Sequence, residues 1–144
     1  MHDPQAAQQD IVSDFSLFDN WLDKYQYLID LGKQLPPLEE SEKTDDRLLH
    51  GCQSRVWLLI EGGMDELIIR ANSDAAIVSG LIALLIRVYS GASATQIIDS
   101  QPEFVTTIGL QQHLSPTRAN GLHAMLGAIR KKAQNLLTAA QIPD

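Results

Sequence analysis

RVWLLIEGGMDELIIRANSDAAIVSGLIALLIRVY, residues 55–89, decides the fold class. Arg55 to Glu61 carries the β-branched and aromatic content of a strand. Gly62-Gly63-Met64-Asp65 is a turn, and Glu66 to Ala71 reads as a second strand closing a hairpin. Asn72-Ser73-Asp74 supplies N-cap chemistry for a helix from about Ala75 to Tyr89. That helix is apolar nearly all round and is expected at the centre of the core.

Upstream, Leu48-Leu49-His50 is expected as a short third strand, and residues 38–47 as a polar surface connector with a helical turn. Asp3-Pro4 starts a first helix ending near Ser13. Ser16 to Asp19 resembles a capping box for a second helix. Phe18, Trp21, Leu22, Tyr25, Leu28, Ile29 and Gly32 share one of its faces, and Leu35-Pro36-Pro37 ends it.

Downstream, Ser93 caps a helix to about Ser100, a helical turn covers Glu103 to Ile108, and Ser115-Pro116 opens a long amphipathic last helix. Its Arg130, Lys131 and Lys132 read as surface charge. Strands and helices are segregated along the chain. The expected class is α+β, a small antiparallel sheet of about three strands packed against helices, in one domain spanning 1–144.

The composition fits that class. The chain has 144 residues, 44% hydrophobic and 20% charged, enough to bury one core without staples. The net charge of -7 argues against a nucleic-acid partner. The excess is uneven. Residues 1–50 hold 11 acids and 4 bases, a net of -7, whereas residues 51–144 hold 7 of each. The acidic first third either keeps the protein soluble or offers a face to a basic partner.

The longest apolar stretch, Ala75 to Ile86, is too short to span a bilayer, so no membrane is expected. No basic region followed by an apolar run opens the chain, so no signal peptide is expected. The single cysteine, Cys52, allows no intramolecular disulfide and no cysteine-based metal site. The expected localisation is cytoplasmic, where a lone thiol stays reduced.

Chemistry concentrates in His50-Gly51-Cys52-Gln53-Ser54-Arg55. Cys52 is the one strong intrinsic nucleophile, and neighbouring cations raise its thiolate fraction. Gly51 allows a tight loop, Gln53 and Ser54 can donate hydrogen bonds to a sulfur anion, and Arg55 adds positive charge. A lone cysteine is often an inert buried hydrophobe, but these neighbours are polar. His50, two residues away, is spaced to act as a base on an extended segment or to be a plain loop histidine. The scattered histidines form no metal set, and no phosphate-binding loop or GxSxG motif occurs. A stand-alone thiol enzyme lacks a visible orienting group.

Several ordered blocks then resemble the SufE family of cysteine-desulfuration proteins, from Trp21 to the last helix. They are Trp21 with Lys24, Tyr25 and Leu28; residues 31–36 (LGKQLP); 51–57 (GCQSRVW); 73–78 (SDAAIV); 80–83 (GLIA); 112–118 (QHLSPTR); and Gly121-Leu122. The resemblance implies a fold similar to IscU-type scaffolds. It implies that Cys52 accepts persulfide sulfur from a pyridoxal-phosphate cysteine desulfurase (SufS- or CsdA-like), stimulates that enzyme and passes sulfur to an iron–sulfur scaffold complex (SufBCD-like). The chain would then be an accessory protein with a reactive cysteine, not an enzyme. It would have no cofactor or metal of its own and would be a monomer or homodimer. Gly51, Gln53, Ser54, Arg55, Asp74 and Arg118 would support Cys52, with Asp74 as helix cap. His50 departs from the family pattern. Two alternatives stay open: a CsdE-like partner of a second desulfurase, and an allosteric activator that carries no sulfur.

Overall fold

The structure is a computed structural model describing residues 2–50 and 54–141. Among these residues, seven α-helices flank one hairpin, with β1 at Val56–Gly63 and β2 at Glu66–Ser73. The strands pair antiparallel from Val56 opposite Ser73 to Gly63 opposite Glu66. Each runs two residues past its expected C-terminal end. Gly62 and Gly63 lie in the ladder, so only Met64 and Asp65 form the turn. The expected third strand is a single bridge, Leu48 to Trp57, so among the described residues the sheet has two strands. A charged, 3-10-rich approach leaves too few extended residues for a longer ladder.

The hairpin has two distinct faces because side chains alternate. Leu58, Ile69 and Ala71 face the helices α3 (Ala76–Tyr89) and α7 (Pro116–Gln141), beside Ile82, Leu85 and Met125. α3 buries Val78, Gly80, Leu81, Ile82, Leu84, Leu85, Val88 and Tyr89, as its all-round apolar sequence requires. Each large aliphatic side chain buried there contributes about 1.5–3 kcal/mol.

The opposite face is covered by the connector. Two 3-10 turns, Glu40–Glu42 and Asp45–Arg47, lie across it. The Leu38 N–H donates to Asn72 Oδ1 at 2.7 Å, and Asn72 Nδ2 donates to the Pro36 carbonyl at 3.1 Å. Arg70 holds both carboxylate oxygens of Glu42, at 2.5 and 2.9 Å. Lys43 sits over the Trp57 ring. Leu59, on this outer face, is therefore only 7% exposed. The connector is a strap over the sheet as well as a link.

α1 (Pro4–Phe15) and α2 (Trp21–Lys33) precede the strap. Asp3 caps α1, its Oδ1 accepting from the Gln5 N–H. The cap of α2 is Asn20, whose Oδ1 accepts from the Asp23 N–H at 2.9 Å. The Ser16–Asp19 box does not form, because α1 runs on to Phe15 and Ser16 ends it. Leu22 also leaves the expected buried face and is 79% exposed. α2 packs on α3 across a glycine crossing. A Cβ on Gly80 would lie 2.2 Å from the Leu28 carbonyl oxygen, and one on Gly32 would lie 2.7 Å from the Gly80 nitrogen. The two backbones touch only because neither residue has a side chain.

The short helices α4 (Ala94–Asp99), α5 (Glu103–Thr107) and α6 (Leu110–His113) lead into α7. Arg130 is not a plain surface charge. Its guanidinium donates to the carbonyls of Ile97, Ile98 and Ser100 at 3.1–3.2 Å, satisfying the open C-terminal end of α4. Gln8 of α1 is buried and donates to Ser100 Oγ and the Gln101 carbonyl, while its Oε1 accepts from the Phe104 N–H. No single helix among the described residues is long and apolar enough to cross a membrane.

Candidate functional site

The segment around the cysteine is anchored on both flanks by backbone geometry. On the upstream side, the Leu49 N–H donates to the Val56 carbonyl at 2.9 Å, beside the Leu48–Trp57 bridge. Behind it, the Leu48 N–H donates to the Asp45 carbonyl and Arg47 Nη1 donates to the Glu42 carbonyl. On the downstream side, the Arg55 N–H donates to Asp74 Oδ1 at 3.1 Å. The Asp74 N–H donates back to the Arg55 carbonyl at 3.4 Å, which continues the β ladder by one pair.

This contact corrects the expected role of Asp74. Helix α3 starts at Ala76 with Ala75 at the cap position and no side-chain cap. The Ala75 N–H is met by Ser73 Oγ at 3.2 Å. The Asp74 carboxylate is turned toward the other strand, where it pins the exit of the cysteine segment.

Beneath that exit lies a cavity of about 20 Å³. Val78 and Leu81 of α3 and Leu122 and Met125 of α7 form its apolar wall, and Ser54, Thr117 and Arg118 its polar rim. The wall follows from helix periodicity. Positions 118, 121, 122 and 125 recur at one face of α7, and 78 and 81 at one face of α3. Ser115 precedes Pro116 at the start of α7, and its Oγ accepts from the Arg118 N–H at 3.3 Å. The positive end of a long helix therefore opens at the rim.

Two arginines belong to this neighbourhood. Arg118 lines the cavity and is exposed; Arg55, next to Ser54, is exposed as well. Neither side chain has an ion pair among the described residues. His50 is exposed at the upstream end. Gly51, Cys52 and Gln53 lie outside the described residues.

Of the expected supporting residues, Ser54 and Arg118 meet at the cavity, and Arg55 and Asp74 meet by hydrogen bond. The cavity wall itself is not legible in the sequence. Leu122 and Met125 stand in it as ordinary core positions, and nothing in their spacing separates a core residue from one lining a cavity. No group of three or more histidine, cysteine or acidic residues suited to a metal ion occurs among the described residues.

The start of α2 packs against α6, the short helix that precedes α7. Trp21 stacks on His113 with ring centroids 4.0 Å apart and planes 11° from parallel. The Tyr25 hydroxyl donates to the His113 carbonyl, and Lys24 lies 5.0 Å from the Trp21 ring centre. The sequence places Trp21 and Tyr25 on the apolar face of this helix but does not give their partner. In the structure they tie α2 to the short helix that leads into Arg118.

Comparison with solved structures finds the same fold in the solution structure of a hypothetical protein from Thermus thermophilus. The two are 21% identical, the match covers 96% of this chain and 99% of that one, and the TM-score is 0.74. The family model described as SufE, Fe-S metabolism associated domain, matches residues 9–133. That span holds the hairpin, the strap, the cysteine segment and most of α7. The chain therefore belongs to the SufE family, whose domain is associated with iron–sulfur metabolism.

Proposed function

We propose that this chain is a sulfur carrier whose acceptor atom is Cys52 Sγ. A pyridoxal-phosphate cysteine desulfurase presents a persulfide on its own cysteine. The Cys52 thiolate attacks the terminal sulfur of that persulfide. A new S–S bond forms on Cys52, the old S–S bond breaks, and the desulfurase cysteine leaves as a thiolate. No net oxidation occurs, because the sulfane sulfur moves from one thiolate to another. Relieved of its persulfide, the desulfurase turns over faster. The carrier then yields the sulfur to an iron–sulfur scaffold complex, residues 1–144 acting as one unit in the cytoplasm. The pyridoxal phosphate belongs to the partner, and the carrier itself requires no cofactor.

The observation that carries this reading is the pairing of fixed flanks with a small apolar cavity at the cysteine segment. Ser54 lines the cavity, and Cys52 is two residues away, within about 7.6 Å of chain. An apolar wall favours a sulfur atom sheltered from reductants. The exposed Arg118 and the positive end of α7 favour the thiolate and the persulfide anion over their protonated forms. Asp74 holds the exit strand at Arg55. With one cysteine in the chain, sulfur can be carried but a cluster cannot be ligated by this chain alone.

Desulfurase turnover tests the reading. With cysteine as substrate and no added thiol reductant, the wild-type chain is expected to accelerate the desulfurase. Cys52→Ser is expected to bind it and leave the rate at its basal value. Acceleration by Cys52→Ser equal to wild type would assign the chain to allosteric activation instead.

A further inference from the structure

The corner between α1 and α2 presents an apolar surface that the fold does not use. Leu17 and Leu22 are both 79% exposed, far more than any other large hydrophobic residue among those described. They lie within six residues of chain, and both belong to a rigid corner. Tyr27 packs edge-on against Phe15 and tilted against Phe18, at 5.3 and 5.1 Å. Arg87 pairs with Asp14 at 2.8 Å, and the Tyr27 hydroxyl donates to the same carboxylate. Asn20 caps the next helix. The two leucines are thus held out to solvent by an ordered platform. Beside them, Val12, Phe15, Ser16, Lys24, Thr107 and Ile108 line a notch of about 130 Å³.

Acidic residues predominate around the corner, where Lys24 lines the notch and Arg87 is paired with Asp14. Asp19, Asp23 and Asp30 recur at helical spacing along α2 and its approach, and all three are exposed. None of them has an ion pair among the described residues; Asp23 and Asp30 accept from the neutral Asn20 and Gln26 side chains. Lys24 is the nearest cation in sequence, and it lies over Trp21. This stripe is part of the first third that carries the whole net charge of -7. Buried apolar anchors ringed by charge are how protein surfaces combine affinity with orientation. Trp21, between the two leucines in sequence, packs on His113 of the helix leading to Arg118, so the corner adjoins the elements that bear the candidate site.

We propose that this corner is a second docking surface for the cysteine desulfurase, one that receives a cationic patch bearing an exposed apolar side chain. Leu17 and Leu22 supply the anchor, and the aspartates of α2 and its approach select the positive charge. The inference rests on the sulfur-carrier reading for the identity of the partner, but not for the chemistry of the surface. It separates holding the partner from accepting its sulfur, which falls to Cys52.

Calorimetric titration of the chain into the desulfurase at several salt concentrations tests it. The variants are Leu17→Ser/Leu22→Ser, which alters only exposed side chains, and Asp19→Asn/Asp23→Asn/Asp30→Asn. Circular dichroism checks that each variant keeps the fold. The leucine pair is expected to weaken Kd about tenfold, as loss of an apolar anchor does. The aspartate triple is expected to flatten the dependence of Kd on salt. Sulfur loading at saturating concentration is expected to match wild type for both. A Kd within about twofold of wild type for both variants would overturn the docking surface alone, since hot-spot losses exceed that. A wild-type dimer in sedimentation that the leucine variant loses, with desulfurase affinity unchanged, would reassign the corner to a second copy of the chain and also overturn it. No binding of the wild-type chain to the desulfurase would overturn the carrier reading and the docking surface with it.

Discussion

The α2–α3 crossing and the described flanks of the cysteine segment, at Leu48–Leu49 and Arg55, are built in opposite ways. At the crossing, Gly32 and Gly80 bring two helix backbones into contact, and the surrounding side chains are buried aliphatics. Closeness there is enforced by dense packing and admits no extra atom. At the cysteine segment, the described flanks are held by a few hydrogen bonds, from Leu49 to Val56 and between Arg55 and Asp74. Each is worth about 0.5–1.5 kcal/mol. The proposed carrier role asks for a scaffold that does not yield, beside flanks held by separable contacts. The crossing supplies the first and these hydrogen bonds the second.

Breaking the crossing is expected to have the largest effect on stability. Gly80→Ala places a Cβ 2.2 Å from the Leu28 carbonyl oxygen, which forces α2 off α3. Denaturant unfolding is expected to show a loss of about 3 kcal/mol, the upper range for overpacking. A loss under about 1 kcal/mol would mean the helices separate freely and the scaffold is not rigid there.

Gln8→Leu comes next. It removes two donors and leaves the buried Phe104 N–H without its acceptor. The expected cost is about 2 kcal/mol of global stability, with sulfur acceptance unchanged. Reduced sulfur loading in a folded Gln8→Leu protein would show that scaffold and site are not separable.

Asp74→Ala inverts that pattern. It removes the carboxylate that holds the Arg55 N–H, at a global cost of about 1 kcal/mol. Amide exchange is expected to speed up at Ser54 and Arg55 while the α2 and α3 amides keep their protection. Equal acceleration in both regions would erase the distinction between them.

The smallest effect belongs to the strap. The Arg70 guanidinium, hydrogen-bonded to Glu42, holds that carboxyl below its ordinary value, and the Glu39 N–H adds to it. A carboxyl depressed in the folded state stabilises at pH above its unfolded pKa, and that contribution is lost as pH falls through the folded value. Glu42→Gln is therefore expected to lower the melting temperature slightly near neutral pH and to converge with wild type in acid. Parallel curves at every pH would show that the Arg70–Glu42 pair adds nothing.

The hairpin, the central helix and the last helix are legible in the sequence because their periodicities are strong. Ser115-Pro116 and Ser93 mark helix starts that the structure keeps. Other signals are ambiguous between neighbours. Ser16 and Asn20 are both cap residues, and packing of Phe15 carries α1 up to the first, which ends that helix, so the second caps α2. Asp74 has the right chemistry for a cap, but the adjoining strand offers it the Arg55 N–H. Arg130 reads as surface charge because the carbonyls it satisfies lie some thirty residues away. Leu22 fits the apolar period of α2, yet the helix is turned so that it faces water. The proposed acceptor, Cys52, stands out on chemistry alone, as the only cysteine in the sequence and set in a polar run. The cavity lined by Ser54 is not legible, since two helices distant in sequence must meet to make it.

Intact-protein mass spectrometry after incubation with a cysteine desulfurase and free cysteine tests the central claim most directly. Wild type is predicted to gain the mass of one sulfur atom, lost again on reduction, and Cys52→Ser is predicted to gain nothing. An adduct on both proteins, or on neither despite measured binding, would contradict sulfur carriage at Cys52.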